Sequence, residues 1–280
     1  MPAHVGVVGG GRMGAGIAHA FLMSGARATI VERDADAASA AATRVRDMIA
    51  RSVSTAAHGD PDAIGGRLTT GTDADLLFDT GLVIEAVPED RALKTETLIR
   101  AEQAAPHAVL ASNTSSISID VLAAPLSRPE RFLGLHFFNP VPASLLVEVV
   151  VGTATDPQVR DDAVAWVTAL RRQAIVVRDS PGFASSRLGV ALALEAIRML
   201  EDGVAEAADI DAAMELGYRH PVGPLRTTDL VGLDVRLGIA EELAATLGER
   251  FAPPQLLRDL VAAGRLGRKT GHGFYEWSGS

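Results

Sequence analysis

Residues 3–14 read AHVGVVGGGRMG, and residues 28–34 read ATIVERD. Between them, Met13–Ser24 reads as a helix, with Ile17, Ala18, Phe21 and Leu22 recurring at helical spacing on its buried side. An apolar run, a glycine turn, a helix and a second apolar run ending in acid form the opening of a βαβ unit, which predicts an α/β fold. Gly9, Gly11 and Gly14 satisfy G-x-G-x-x-G, with Met13 inside the loop. The three glycines do different things. Gly9 allows the tight turn, Gly11 lets a pyrophosphate approach the backbone, and Gly14 lets helix and strand pack closely. The phosphate charge then meets the unpaired N–H groups at the helix start. Glu32 stands 23 positions after Gly9, close to the spacing expected of the acid that binds the ribose hydroxyls. A carboxylate there also repels the extra phosphate of NADP, so the predicted cofactor is NAD. Arg33 beside it is the residue that argues for NADP. The competing readings are FAD, for which no second flavin feature stands out, and a glycine turn with no ligand.

Working outward, the chain alternates strand and helix up to a break. The alanine-rich stretch Ala35–Ser54 reads as helix, and AAHGDPDAIGG after it as a turn or loose connection. GLVIEAV (81–87) reads as a buried strand, Arg91–Ala104 as helix and AVLASN (108–113) as strand. FLGLHFF and LLVEVV are extended runs flanking the turn NPVPAS, followed by a helix over Pro157–Ala169 and a last strand in AIVVRDSPG. Past Pro181 only helical periodicity remains, to about residue 264, with DLVGLDVRLGIAEELAATLG read as one helix. Proline and glycine at 180–182 mark the boundary. The predicted organisation is a Rossmann-type dinucleotide-binding domain over 1–181 and an all-α domain over 182–280.

Composition narrows the function classes. The 280-residue chain has no cysteine, which removes disulfides, thiolate nucleophiles and cysteine-held metals and suits a reducing cytoplasm. No histidine set has metal-ligand spacing, so no metal is predicted. The start lacks a signal peptide, and no apolar run is long enough for a membrane span. A net charge of −9 without a basic, aromatic stripe disfavours nucleic acid.

The candidate chemistry centres on His136 at the end of LGLHFFNP. An imidazole titrates near working pH, so it suits a base that takes a hydroxyl proton as hydride leaves the same carbon. The competing reading is a histidine that caps a strand end. Glu148 is the one charge in LLVEVV. If the two runs are neighbours, its carboxylate orients the ring; otherwise it is a solvent-facing residue of an edge strand. NTSSIS (113–118) follows a strand and offers hydroxyls near the expected end of the sheet. Ser115 is placed to bind a substrate oxygen and Asn113 or Thr114 to position a cofactor, with helix capping as the other use of such residues. His19 lies in the first helix; His4, His58 and His107 read as isolated and solvated, and His220 and His272 as turn residues.

Taken together, GVVGGGRMGAGIA, LVIEAVPED, ASNTSSISI, RFLGLHFFNPVPASLLVEVV, DSPGFASSRL, YRHPVGPLRTTDLVGLDV and GRKTGHGFYEW strongly resemble the L-3-hydroxyacyl-CoA dehydrogenase family, especially its short 3-hydroxybutyryl-CoA dehydrogenase members. The resemblance spans residues 4–277. It implies an N-terminal NAD domain, a helical C-terminal domain that supplies substrate and homodimer contacts, an acyl-CoA substrate and a place in fatty acid metabolism. It also implies His136 as the catalytic base, Glu148 as its partner, Ser115 against the substrate oxygen, Asn139 near the nicotinamide, and Glu89 and Lys94 on the cofactor side. One block departs from the pattern: the family's PGF-x-x-NRL is PGFASSRL here, so Ser186 replaces a substrate-contacting asparagine with a shorter, single hydroxyl. Relatives in specialised metabolism act on groups held by an acyl carrier protein, and this departure favours that alternative. Family members that use CoA place basic side chains on the helix after the second strand, where this chain has Arg44, Arg46 and Arg51.

Overall fold

A computed structural model describes residues 1–56 and 59–277. The chain divides into two compact units, Met1–Ser180 and Pro181–Ser280. The first contains β1 (His4–Val8), α1 (Arg12–Met23), β2 (Arg27–Val31), α2 (Ala35–Ala56), α3 (Pro61–Gly65), β3 (Leu68–Gly71), β4 (Leu82–Glu85), α4 (Arg91–Ala104), β5 (Val109–Ser112), α5 (Ile119–Ala123), β6 (Phe132–Phe137), β7 (Leu146–Val151), α6 (Pro157–Ala169) and β8 (Gln173–Arg178). The second contains α7 (Ser185–Glu201), α8 (Ala207–Tyr218), α9 (Pro224–Val231), α10 (Leu233–Leu247) and α11 (Gln255–Ala262).

In the first unit one eight-stranded sheet runs β3-β2-β1-β4-β5-β6-β7-β8. The strands from β3 to β6 pair in parallel, β7 returns antiparallel to β6, and β8 runs parallel to β7. Strands covered on both faces must be apolar throughout, as VGVV in β1 and LVI in β4 are; Val5, Val7, Leu82 and Ile84 are fully buried. Small residues on α1 (Gly14, Ala15, Ala18) let that helix lie close to the sheet, with Ile17 and Phe21 filling the core. The helix starts have chemical causes: Asp90 accepts from the Leu93 N–H to open α4, and Asp156 accepts from Gln158 to open α6, with Pro157 in its first turn. The order of strands makes β1, β4, β5 and β6 end along one edge, where antiparallel β7 begins.

Three local readings of the sequence are corrected. The stretch read as a loose connection contains α3, capped by Asp60, and leads to the unforeseen edge strand β3. LTTG carries no apolar run because its outer side faces solvent. DLVGLDVRLGIAEELAATLG is two helices: Gly232 adopts φ +109° and separates α9 from α10. His4 is not solvated. It is buried on β1 between Asp79 and Thr29, at 2.7 and 2.8 Å. His107 is exposed, and His58 lies outside the described residues.

The second unit packs around Val190, Leu194 and Ile197 of α7, with Leu225, Leu233, Leu243 and Leu257 from the neighbouring helices. Two buried acids fasten its final segment. Asp229 accepts from the backbone N–H groups of Phe274 and Tyr275 and from the Trp277 indole, at 2.9, 3.0 and 2.7 Å. Asp211 accepts from Leu225 and Arg226 N–H and from the Tyr275 hydroxyl. The block GHGFYEW is thus tied down by charge-assisted hydrogen bonds. Among the described residues no helix is long and apolar enough to cross a membrane.

Candidate active site

The glycine loop meets each steric demand of dinucleotide binding. Gly9 has φ +94°, and a Cβ there falls 2.9 Å from the Ala86 carbonyl oxygen. A Cβ on Gly14 falls 1.8 Å from the Gly9 carbonyl oxygen, so no side chain is possible without moving the loop. Above Gly11, by contrast, nothing lies within 4 Å, and the N-terminus of α1 has no side-chain cap. That open, uncapped helix start suits a pyrophosphate. Glu32 lies against the same loop: its Oε1 accepts from the Gly10 N–H at 2.7 Å and its Oε2 from Arg33 N–H at 3.1 Å. The Arg33 side chain is exposed and pairs with Asp34. Met13 is half-buried in the first turn of α1, and Arg44 donates to the Gly10 carbonyl.

At the end of β4 a buried ionic cluster supports the next two loops. Lys94, 1% exposed, donates from Nζ to Glu85 at 2.9 and 3.1 Å and to the Val87 carbonyl, and pairs with Glu89 at 3.2 Å. The Ser112 hydroxyl donates to Glu85 as well. Burial pushes the Glu85 carboxyl above the usual carboxylate range, against the pull of Lys94 and the hydrogen bonds. Glu89 is more open. Burial pushes its carboxyl up too, but Lys94, Thr114 and Ser115 outweigh that and hold it below the usual range. Its Oε1 gathers the 113–118 loop, accepting from Thr114 Oγ1 (2.6 Å), Ser115 N–H (2.9 Å) and Ser116 Oγ (3.1 Å). The Asn113 side-chain oxygen accepts from Phe137 N–H, which ties this loop to β6 beside His136. Capping of α5 falls to Ser118.

His136 and Glu148 are directly opposed across the antiparallel β6–β7 pair. The ring Nδ1 is 2.6 Å from Glu148 Oε2; His136 is 6% exposed and Glu148 fully buried. Because β7 lies between β6 and β8, the edge-strand alternative for Glu148 is overturned. A carboxylate only accepts, so Nδ1 carries the ring proton and Nε2 is the basic nitrogen. Phe138 lies against the ring, centroid to centroid 4.5 Å.

Asn139 is exposed on the β6–β7 loop. It lines a cavity of about 370 Å³ with Arg12, Arg51, Met48 and Ser52. Of the three arginines singled out on α2, Arg51 reaches this cavity. Ser186 lies half-buried in the first turn of α7, in the second unit. Glu85 escaped the sequence reading, although it is the one charge in the buried strand GLVIEAV, the same signal that marked Glu148.

A parallel sheet whose edge gathers a glycine loop, an acid at the end of the second strand and a carboxylate-held histidine defines a nicotinamide-dependent oxidoreductase, and the cofactor is NAD. Residues 4–180 match the model of the 3-hydroxyacyl-CoA dehydrogenase NAD binding domain, and residues 182–277 that of the 3-hydroxyacyl-CoA dehydrogenase C-terminal domain. The chain belongs to the 3-hydroxyacyl-CoA dehydrogenase family. It is 43% identical over 279 residues to a 3-hydroxybutyryl-CoA dehydrogenase of Mycobacterium tuberculosis, covering 98% of each chain. It is 38% identical to the rat mitochondrial hydroxyacyl-coenzyme A dehydrogenase, over 98% of this chain and 91% of that one. The crystal structure of the (S)-3-hydroxybutyryl-CoA dehydrogenase PaaH1 from Ralstonia eutropha superposes with a TM-score of 0.95 at 37% identity, covering 100% of both chains.

Proposed function

We propose that this chain oxidises the 3-hydroxyl group of a short-chain 3-hydroxyacyl-CoA, and reduces the 3-ketoacyl group in reverse, with His136 as general base and acid. The observation that carries the reading is the 2.6 Å pairing of His136 with fully buried Glu148. With Nδ1–H fixed on the carboxylate, Nε2 takes the hydroxyl proton during oxidation and returns it during reduction. Glu148 offsets the positive charge that develops on the ring. NAD, when bound, supplies the ring carbon that takes or gives the hydride.

Ser115, held by Glu89, donates to the substrate oxygen, and Asn139 faces the nicotinamide side. Gly9, Gly11, Met13, Gly14 and Glu32 hold the cofactor, with Glu89 and Lys94 shaping its nicotinamide end. Arg12 and Arg51 beside the Asn139 cavity suit the phosphates of a CoA carrier, since guanidinium matches phosphate geometry. In the second unit Leu216 and Tyr218 are 84% and 76% exposed, and apolar surface of this kind suits cover by a second copy of the chain. The cysteine-free composition suits a cytoplasmic location.

The direct test is loss of NADH absorbance on adding acetoacetyl-CoA, run beside acetoacetyl groups on an acyl carrier protein. Turnover on the CoA thioester is expected. Turnover confined to the carrier protein rejects the CoA reading, and no turnover on either rejects the dehydrogenase chemistry.

A further inference from the structure

Glu85 ends the central strand β4 in a register row that runs from Val8 through Glu85 and Ser112 to Gly134, across β1, β4, β5 and β6. Two residues beyond Gly134 on β6 stands His136. Glu85 is fully buried, and both its oxygens are occupied. Oε1 accepts from Val87 N–H at 2.7 Å and from Lys94 at 2.9 Å; Oε2 accepts from the Ser112 hydroxyl at 2.5 Å and from Lys94 at 3.1 Å. A carboxylate offers about four acceptor sites, so none is left for a substrate or cofactor. Stability alone gives no reason for such a residue, because packed apolar side chains often fill a buried place as well as an ion pair does. A carboxylate differs in fixing the direction of every donor that points at it.

Two routes lead from Glu85 to one loop. On the shorter route, Ser112 gives its only proton to Glu85, so its lone pairs face the other way and accept from Thr114 N–H at 3.2 Å. On the longer route, Lys94 bridges Glu85 to Glu89, whose Oε1 accepts from the N–H groups of Ser115 and Ser116 at 2.9 and 3.2 Å. Asn113 joins them: its N–H donates to the Glu85 carbonyl, and its side-chain oxygen accepts from Phe137 N–H next to His136, both at 2.9 Å. Four consecutive backbone N–H groups, 113 to 116, are thereby fixed. The Ser115 hydroxyl is not held in the same way. It lies 3.4 Å from Glu89 Oε1, well beyond the roughly 2.7–2.8 Å usual for such bonds. The backbone is set while the hydroxyl can turn to a better acceptor.

We propose that Glu85 is a positioning residue, acting through Ser112 and Lys94, that keeps the Ser115 hydroxyl and the His136 ring directed at one substrate oxygen. This rests on the reading of Ser115 and His136 as the two groups that meet that oxygen. The Ser115 bond strengthens as the oxygen gains negative charge, so a loosened loop lowers kcat more than it raises KM.

The test uses Glu85→Gln, Ser112→Ala and the double variant, with two readouts. The first is kcat and KM for acetoacetyl-CoA; the second is hydrogen exchange of the 113–116 amides, which needs no turnover. Each single variant is expected to lose about tenfold or more in kcat, the scale on which small misplacements act, with KM within about threefold. Exchange at 113–116 speeds up about tenfold or more, while that of β1 stays at the wild-type rate. The double variant loses about as much kcat as the worse single, because both act along one route. Ser112→Ala keeps the Glu85–Lys94 pair and reads the same loop even if Glu85→Gln folds poorly. A lower melting temperature with kcat and loop exchange unmoved overturns the proposal and leaves Glu85 a packing charge. Faster exchange with unmoved kcat also overturns it, as do losses that multiply in the double variant. If the wild type turns over no thioester but loop exchange still depends on Glu85 and Ser112, the dehydrogenase reading fails and the hold on the loop stands.

Discussion

His136 and Glu148 face one another as a register pair, 2.6 Å apart, on strands that run in opposite directions. That geometry sets the imidazole on the last strand of the parallel series and the carboxylate on the returning strand. The positions are fixed by backbone pairing rather than by a loop. His136→Ala is expected to leave NADH affinity unchanged and to lower turnover by about a hundredfold to ten-thousandfold, the usual range for positioned proton transfer. Glu148→Gln keeps the shape but removes the charge that offsets an imidazolium, so its loss falls on kcat more than on KM. Stopped-flow turnover beside NADH titration separates the two steps; near-normal turnover in His136→Ala removes the ring from the chemistry.

The glycine loop holds a closely packed position and an open one within one motif. At Gly14 an added methyl meets the Gly9 carbonyl at 1.8 Å, whereas at Gly11 it meets nothing within 4 Å. Gly14→Ala is therefore expected to destabilise the fold by about 1–3 kcal/mol, the cost of overpacking. Gly11→Ala leaves the melting temperature within a degree or two of wild type but weakens NADH about tenfold or more, because the methyl enters the space left for a pyrophosphate. Denaturation curves and NADH titration on both variants check the contrast. If Gly11→Ala binds NADH normally, the cofactor does not lie over that helix start.

The features legible in the sequence are those whose physical demand is local or leaves a mark in composition. The turn after β1 needs glycine at fixed offsets, so Gly9 and Gly14 show through at once. His136 and Glu148 are visible because a charge in an apolar strand must have a reason, although their pairing needs β7 to return beside β6. Edge strand β3 is hidden because LTTG, wet on one side, carries no apolar run. The break at Gly232 is hidden because helical periodicity continues on both sides of it. Lys94 reads as a cofactor-side residue, yet its closest partner is Glu85, which sits on the neighbouring strand end rather than on its own helix.

The Glu85–Lys94 pair gives a stability test. Both groups are buried, at 0% and 1% exposure, so removing one leaves the other stranded in low dielectric. Lys94→Met is expected to cost about 3–5 kcal/mol by urea denaturation. Adding Glu85→Gln recovers much of that loss, because the neutral amide needs no counter-charge. The double variant still disturbs Glu89 and the loop it gathers, so cofactor affinity stays low while stability returns. A double variant no more stable than Lys94→Met rejects the idea that a stranded carboxylate is the cause.

His19 on α1 carries a distinct pH dependence. It is 4% exposed, its Nε2 is 3.0 Å from Ser52 Oγ, and its Nδ1 has no hydrogen-bond partner. Burial, and then the charge of Arg172, pull its pKa from 6.5 to about 4, so the folded protein holds it neutral. The unfolded chain binds a proton there near pH 6.5, whereas the folded chain resists doing so until about pH 4. Between those values the unfolded state carries more protons, and stability falls as pH falls. The full effect, reached at and below about pH 4, is about 3 kcal/mol at 1.36 kcal/mol per unit. His19→Gln keeps a polar contact for Ser52 but does not titrate. It is expected to be slightly less stable than wild type at neutral pH and to gain about 2–3 kcal/mol on it as pH drops towards 4. Urea denaturation of the two proteins across that window gives the difference directly, and parallel curves would show that His19 is already solvated and free to charge in the folded state.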